Sequence, residues 1–128
     1  MNINQYIGIP YKRGGTELDG LDCWGLLLHV LKHDFKIDIN VDYYVDGDLP
    51  SVARAYETAS KDTNWKRINS PIDGCVVALS KGKKIHHAGI WWHGGCLHAV
   101  NGMGVIHSTI KSLRLNNYKR MEFYEWQQ

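Results

Sequence analysis

The sequence has few of the features that assign a chain to a class at once. The N-terminus, from Met1 to Tyr6, has neither a cationic start nor an apolar run, so we expect no signal peptide and no membrane-spanning segment. The formal net charge is only +2, from 15 Lys and Arg against 13 Asp and Glu, without a basic tract. This charge pattern argues against nucleic acid as a partner. The expected location is the cytosol, unless another export route exists.

Cysteine is scarce and histidine abundant. The three cysteines, Cys23, Cys75 and Cys96, are an odd number without a C-x-x-C pair, which argues against a disulfide framework and against a zinc ribbon. At least one of them is expected to be a free thiol. Of the seven histidines, four lie between positions 86 and 98. Reactive groups are therefore concentrated in this part of the chain.

The pattern of apolar residues predicts an α+β fold. A length of 128 residues and a hydrophobic content of 44% suit one soluble domain with a buried core, so we predict a single domain over 1–128. Apolar positions at three- and four-residue spacing predict a buried helix over 22–33. After Pro71, glycine-punctuated runs predict an antiparallel meander with strands over 75–79, 85–92, 96–100, 105–108 and 120–126. A helix followed by a sheet gives the α+β class.

Two shorter segments carry more local predictions. The more polar segment 36–70 is expected to be an insertion or cover, with a short helix that begins near Ser51. The Asn101-Gly102 pair favours a type I′ hairpin turn. No internal repeat or low-complexity segment is present.

Cys23 has a sequence context that favours a reactive thiol. Gly14, Gly15 and Gly20 form a glycine-rich loop before the predicted helix, and Asp22 is a typical helix N-cap. Cys23 then lies in the first turn, where unpaired backbone N–H groups and the helix dipole favour the thiolate. A nearby imidazole would complete the activation as a thiolate–imidazolium pair, which gives a bell-shaped pH–rate profile. The alternative is an inert core cysteine, which is the commoner role of a free cysteine.

Three segments occur in an order that is typical of one known family. The first is the lead Ile9-Pro10-Tyr11 with Gly14-Gly15, followed by Asp22-Cys23-Trp24-Gly25 and the apolar helix. The second is His87-Ala88-Gly89-Ile90-Trp91, and the third, one predicted hairpin later, is Leu97-His98-Ala99. Together they resemble the nucleophile site, the catalytic histidine strand and the following strand of the NlpC family of papain-like cysteine peptidases, which act on bacterial cell walls.

This resemblance implies a papain-like fold in which the N-terminal nucleophile helix packs on a C-terminal antiparallel β-sheet. It implies a Cys-His-His triad in which Cys23 is the nucleophile, His87 is the general base and acid, and His98 orients the His87 imidazole. No metal and no organic cofactor are implied. Three further candidates, for substrate binding or support of the oxyanion, are Tyr11, Asp22 and Trp24.

The reaction implied by the resemblance is hydrolysis of amide bonds in peptidoglycan stem peptides, between the γ-carboxyl of D-glutamate and a diamino acid. Trp24 replaces the serine that usually follows the nucleophile, and this form looks like the compact NlpC-type proteins of bacteriophage tails. For a phage-encoded chain we therefore expect a place in the virion tail with other tail-tip proteins as partners, and otherwise the host cytoplasm before release. Two alternatives stay open: a tail structural or assembly module with little activity, and a bacterial antagonism effector amidase.

The other histidines and cysteines have simpler interpretations. His86, on the opposite face of the same predicted strand, is the alternative to His87 as the base. Adjacent strand residues point to opposite faces, so these two histidines cannot easily share a zinc ion, and no metal site is predicted. His93 is expected at a hairpin tip, and His29 and His33 on the helix surface. His107 is expected on an edge strand, and Cys75 and Cys96 in the core.

Overall fold

The computed structural model describes residues 1–39, 61, 64–83 and 85–127. Within these ranges a helix packs against one face of a six-stranded antiparallel sheet, which confirms the predicted α+β fold. A two-stranded ribbon precedes the helix and a short second helix precedes the last strand. The elements in chain order are β1 (Thr16–Glu17), β2 (Gly20–Leu21), α1 (Cys23–Asp34), β3 (Trp65–Ile68), β4 (Val76–Ser80), β5 (His87–Trp92), β6 (Gly95–Val100), β7 (Gly104–Ser108), α2 (Ile110–Leu115) and β8 (Arg120–Trp126).

The order of strands in the sheet is β3-β8-β4-β5-β6-β7, which is only partly the predicted meander. Strands β4 to β7 do follow one another through hairpins. Strand β8 does not continue from β7 but returns to pair with β4, after the chain has passed through α2. Strand β3 has no strong apolar run, because its two middle residues are the charged and exposed Lys66 and Arg67. The sequence pattern therefore did not predict it. Strand β3 lies at the edge of the sheet and pairs with β8.

Helix α1 begins at Cys23, one residue after the predicted start. Asp22 is the N-cap, with extended backbone and a side chain that accepts a hydrogen bond from Gly25 N–H. Seven of the twelve helical residues are buried, so the helix is enclosed by the ribbon and the sheet rather than lying on a surface. The Phe35 N–H bonds to the Leu31 carbonyl and closes the last turn.

The two faces of the sheet carry two different clusters of buried residues. The face that we call the α1 face packs against α1 with Val76, Ala88, Ile90, Leu97 and Ala99. The opposite face, which we call the α2 face, packs against Leu113 of α2 and against Tyr118 with Cys75, Val77, Leu79, Trp91 and Cys96. This alternation follows the two-residue period of a strand. It confirms that Cys75 and Cys96 are core residues.

The hairpin turns differ from one another in backbone conformation. At the tip between β5 and β6, His93 and Gly94 have φ values of 47° and 77°, as a type I′ turn requires at both central positions. The prediction of a type I′ turn at Asn101-Gly102 is wrong. Only Gly102 has a positive φ, of 86°, and the Met103 N–H bonds to the Val100 carbonyl at 3.0 Å, which is the pattern of a type II turn.

The short helix predicted near Ser51 lies outside the described residues. No helix among the described residues has the length and apolar character that crossing a bilayer requires.

Candidate active site

The loop before α1 is tied to the first turn of the helix by one carboxylate. The Asp22 side chain accepts hydrogen bonds from Gly25 N–H at 2.8 Å and from Gly14 N–H at 2.9 Å, one on each oxygen. The backbones of the loop and the helix also meet directly, because a Cβ atom on Gly25 would lie 1.9 Å from the Gly15 carbonyl oxygen. Asp22 therefore supports the position of Cys23 through the backbone on both sides of it.

The Cys23 sulfur is buried against the start of β5. It receives hydrogen bonds from the backbone N–H groups of Ala88, Trp24 and Cys23 itself, each of which lowers its pKa. Ala88 directly follows His87, the first residue of β5, so the sulfur contacts the backbone next to the residue expected to be the base. Only 5% of Cys23 is exposed.

Burial and not the helix terminus dominates the pKa of the Cys23 thiol. Burial, followed by the negative charge of Asp22, raises this pKa to about 12 and outweighs the three N–H donors. The expectation that the helix N-terminus would leave a preformed thiolate is therefore not met in this structure. The thiol is protonated at neutral pH, and its proton has to leave when the sulfur attacks.

A hydrogen-bonded series of three buried side chains crosses β5, β6 and β7 on the α2 face. His87 Nε2 lies 2.8 Å from His98 Nδ1, and His98 Nε2 lies 2.8 Å from Ser108 Oγ. Gly89 makes room for this contact, because a Cβ atom there would lie 2.5 Å from Cys96 Sγ and 3.1 Å from His98 Cβ. The structure thus brings His87 and His98 together as the resemblance implied, and extends the pair to Ser108.

The order of this hydrogen-bonded series couples the proton positions of the two rings. When His87 carries its proton on Nε2 it donates to His98 Nδ1, so the His98 proton lies on Nε2 and is donated to Ser108 Oγ. This arrangement leaves His87 Nδ1 unprotonated and able to accept a proton. Ser108 Oγ can accept the hydrogen bond from His98 Nε2–H, and in this arrangement His87 remains a base.

Burial also makes both imidazoles harder to protonate. It lowers the pKa of His98 to about 4, with a further contribution from His107, and it lowers the pKa of His87 well below 6.5, with further contributions led by His98. His87 is therefore neutral at neutral pH and able to accept a proton. Because the thiol is protonated as well, the resting pair is neutral, and the alkaline limb of the expected bell-shaped profile moves toward the thiol pKa of about 12.

Tyr118 covers the imidazoles from the segment that follows α2. Its ring stacks on His87 at 5.6 Å between centroids and 17° between planes, and it meets the edge of His98 at 6.4 Å. Neither Tyr118 nor Ser108 was singled out from the sequence. Ser108 is one hydroxyl among many, and only the register that places it on β7 opposite Cys96 of β6 would have marked it. Tyr118 has no strand or helix period to mark it.

The three candidates near the nucleophile have different surroundings. Tyr11 is partly buried, and burial followed by the charge of Cys23 raises the pKa of its hydroxyl. Asp22 is fully enclosed as described above. The Trp24 side chain is 5% exposed and packs in the core with Leu27 and Val30. Its backbone N–H faces the Cys23 sulfur.

The other histidines lie outside the hydrogen-bonded series of His87, His98 and Ser108. His86 Nε2 accepts from Lys81 N–H at 3.1 Å, and His86 is partly exposed. His93 is exposed at the β5–β6 turn, and His107 on edge strand β7 contacts the Trp92 carbonyl at 2.6 Å. Among residues 1–39, 61, 64–83 and 85–127 there is no group of three side chains placed to hold a metal ion. The His29 and His33 rings pack together on α1, 4.2 Å apart.

Comparison with known proteins agrees with the fold. The family model described as NlpC/P60 family matches residues 8–125. The crystal structure of the NlpC/p60 domain of peptidoglycan hydrolase SagA is similar with a TM-score of 0.62 and 21% sequence identity, over 94% of this chain and 89% of that one. No curated protein sequence matches the chain. The fold is thus the papain-like fold of these domains, and the chain belongs to the NlpC/P60 family.

Proposed function

We propose that the chain is a cysteine hydrolase that cleaves amide bonds in peptidoglycan. The main observation is the position of Cys23 Sγ at the N-terminus of α1, against β5 and beside the hydrogen-bonded series His87, His98 and Ser108. This is the arrangement of nucleophile, base and orienting group that acyl transfer needs. Members of the NlpC/P60 family are cysteine peptidases that act on peptidoglycan, and SagA is named a peptidoglycan hydrolase.

The mechanism follows from the neutral resting pair. As Sγ attacks the amide carbonyl, its proton passes to His87, and His98 stabilises the resulting imidazolium by accepting its Nε2–H. The oxyanion forms near the N-terminus of α1, where backbone N–H groups of Cys23 and Trp24 already face the sulfur. Collapse breaks the C–N bond, and His87 returns the proton to the leaving amine. Water, with His87 as base, then hydrolyses the thioester and releases the acid.

Two of the other candidates have supporting roles in this proposal. Asp22 holds the loop and helix in register, as its hydrogen bonds to Gly14 and Gly25 indicate. Tyr11 lines the site near the sulfur and offers its hydroxyl to the substrate or to the oxyanion. Trp24 contributes its backbone N–H, and its indole stabilises the core beneath the nucleophile.

The bond that we propose joins the γ-carboxyl of D-glutamate to the diamino acid at the third position of the stem peptide. It is supported by the resemblance of the three motifs and by the family match. We expect Cys23→Ala to abolish release of products from defined muropeptides, measured by mass spectrometry, while the melting temperature stays within a few degrees of the original. Cys75→Ala is the matched control, because Cys75 is also a buried cysteine but packs on the α2 face with Val77 and Leu79. Full activity of Cys23→Ala would exclude the mechanism.

The biological setting that we propose is a bacteriophage tail, where the enzyme opens the wall locally or takes part in tail assembly. It is supported by the Asp22-Cys23-Trp24-Gly25 form of the nucleophile motif. On this proposal the chain lies in the host cytoplasm until assembly and then in the virion tail. Co-purification with other tail proteins tests the setting, and partner binding without any wall digestion would instead favour a structural module. A neighbouring immunity gene would favour an antagonism effector.

A further inference from the structure

The backbone around Tyr118 is fixed at two points, so its ring has a defined place over the imidazoles. The Tyr118 N–H donates to the Leu113 carbonyl of α2 at 3.0 Å, and the Lys119 N–H donates to the Ser80 carbonyl at the end of β4, also at 3.0 Å. The chain turns into this segment at Asn117, whose φ of 71° lies in the left-handed region. Tyr118 is 7% exposed and belongs to the core of the α2 face.

The His87 imidazole needs a contact on its face as well as a hydrogen bond at its edge. The second side-chain torsion of histidine has broad preferences, so rotamer preference alone does not fix the plane of the ring. The hydrogen bond between Nε2 and His98 fixes one point of it. Tyr118 lies nearly parallel to the imidazole, with 17° between the planes and 5.6 Å between the centroids. The ring contact and the hydrogen bond together therefore define the direction of His87 Nδ1.

Lys81 brings a positive charge to the same aromatic ring. Its ammonium lies over the Tyr118 ring, 5.0 Å from the centroid, which is a cation–π contact. Its backbone N–H donates to His86 Nε2 at 3.1 Å. These two contacts hold an exposed lysine beside the imidazole side of the site.

The permanent charge that acts on His87 comes from Lys81. After burial, the pKa of His87 is lowered by His98, His86 and Lys81, and no carboxylate among the described residues contributes. Burial lowers the pKa of His98 and of His86, so both are neutral at neutral pH. The other titratable groups here are also neutral, because burial raises the pKa of each of them, namely Cys23, Cys96 and Tyr118.

We propose that Tyr118 and Lys81 are positioning residues of the hydrolase. The Tyr118 ring holds the His87 imidazole in the plane in which it bonds to His98, and the Lys81 ammonium on that ring opposes a positive charge on the resting base. Both residues act through His87 and not on the substrate. The inference rests on the proposed function and adds to it how the base is oriented and kept able to accept a proton.

Two replacements of Tyr118 separate its ring from its hydroxyl. Tyr118→Phe keeps the ring and should leave kcat within about twofold, whereas Tyr118→Leu should lower kcat about tenfold with KM nearly unchanged, because a misaligned base slows the chemical step. Phe123→Leu is the matched control, because Phe123 packs on the same face with its ring against Trp91. It should lower the melting temperature and leave kcat unchanged.

The kcat values are measured below the melting temperature of every variant, so that loss of folded protein does not contribute. An unchanged kcat in Tyr118→Leu would overturn the positioning role. An equal loss of kcat in Tyr118→Phe would assign the effect to the hydroxyl and would overturn the role of the ring as well.

Variants of Lys81 test the charge. Without the ammonium, His87 takes up a proton at higher pH, so Lys81→Met should move the acid limb of the kcat/KM profile up by about 0.5 pH unit at low salt, and Lys81→Arg should leave it in place. The shift should shrink in about 1 M salt, where the Debye length falls to about 3 Å. Lys83→Met is the matched control, an exposed lysine that is not among the charges acting on His87. No shift, or a shift that salt leaves unchanged, would overturn the role of Lys81.

An NMR measurement separates this inference from the proposed hydrolase activity. The full chain with Cys23→Ala is observed without substrate, and the imidazole N–H between His87 and His98 should give a resonance that exchanges slowly with water beneath Tyr118. We expect the resonance to persist in Cys23→Ala/Tyr118→Phe and to be lost through exchange in Cys23→Ala/Tyr118→Leu.

If the original protein cleaved no muropeptide, the hydrolase proposal would fail, and this resonance would still decide the role of Tyr118. A resonance that is equally protected in Cys23→Ala/Tyr118→Leu, or absent from Cys23→Ala itself, would overturn that role.

Discussion

The two sides of the site are held in place in different ways. On the nucleophile side, the Cys23 backbone is positioned by one carboxylate and by backbone contacts within residues 14–25, and its sulfur accepts a hydrogen bond from Ala88 N–H of β5. On the imidazole side, His87 is positioned by side chains from β6, β7 and the segment after α2, which are far from it in the chain. The first side therefore depends on the absence of side-chain atoms at its glycines, and the second depends on hydrogen bonds and ring packing.

This difference has consequences for the effects of mutation and pH. The nucleophile side should be sensitive to any added Cβ atom, because backbone atoms cannot yield as a flexible side chain can. The imidazole side should be sensitive to loss of a partner and to acid, because its polar groups are buried and neutral. The following predictions test the two sides against each other.

The largest expected effect is on the imidazole side, at the base. His87→Gln should lower kcat/KM by about a thousandfold, which is about 4 kcal/mol, because no group is left to accept the thiol proton. His86→Gln should change it by less than about threefold, since His86 is outside the hydrogen-bonded series. Steady-state kinetics on one muropeptide gives both values. The reverse order of effects would make His86 the base.

The next effect is on the nucleophile side and concerns stability. Gly25→Ala should lower the free energy of unfolding by about 3 kcal/mol, because the new Cβ atom would lie 1.9 Å from the Gly15 carbonyl oxygen. Gly82→Ala is the matched control, since a Cβ atom there meets nothing within 4 Å. Urea unfolding followed by circular dichroism measures both. A Gly25→Ala protein as stable as the Gly82→Ala protein would show that the loop can move away.

Acid should weaken the imidazole side and the whole fold with it. The unfolded chain takes up protons as the pH falls through 6.5, whereas burial keeps His87 and His98 neutral to lower pH. Stability should therefore be unaffected by these two groups above pH 6.5 and fall from pH 6.5 to about 4, the pKa of His98. His98 alone accounts for a loss of up to about 3 kcal/mol.

Urea unfolding between pH 7 and pH 4 measures this loss. His98→Asn should flatten the dependence, since the amide does not titrate in this range. His93→Asn, at the exposed turn, should leave the slope unchanged. A slope that is the same in all three proteins would place the proton uptake elsewhere.

The smallest effect should come from the end of the imidazole series. Ser108→Ala should lower kcat about tenfold, because His98 Nε2 loses its buried hydrogen-bond partner. Ser108→Thr keeps a hydroxyl and should retain most of the activity. A purely structural role would instead lower the melting temperature of Ser108→Ala and leave the kcat of the folded protein unchanged. The kcat values and the melting temperatures of both variants decide between these outcomes.

Much of the fold could be predicted from the sequence because its signals are local. The α1 pattern and the runs that became β4 to β7 have clear periods, and β8 was predicted with the bounds that it has. The pairing of β8 with β4 could not be predicted, because any strand of suitable length can pair with an open sheet edge. Strand β3 and helix α2 are too short and too exposed to carry a period.

The sequence by itself determined the nucleophile side of the site, since Asp22, Cys23 and the surrounding glycines are neighbours in the chain and act through hydrogen bonds of short range. Only the tertiary structure decided the imidazole side. It decided the register that joins His98 to Ser108, the ring of Tyr118 over His87, and the burial that keeps thiol and imidazole neutral. The physical reason is that desolvation depends on every atom packed around a group, and these atoms come from distant parts of the chain.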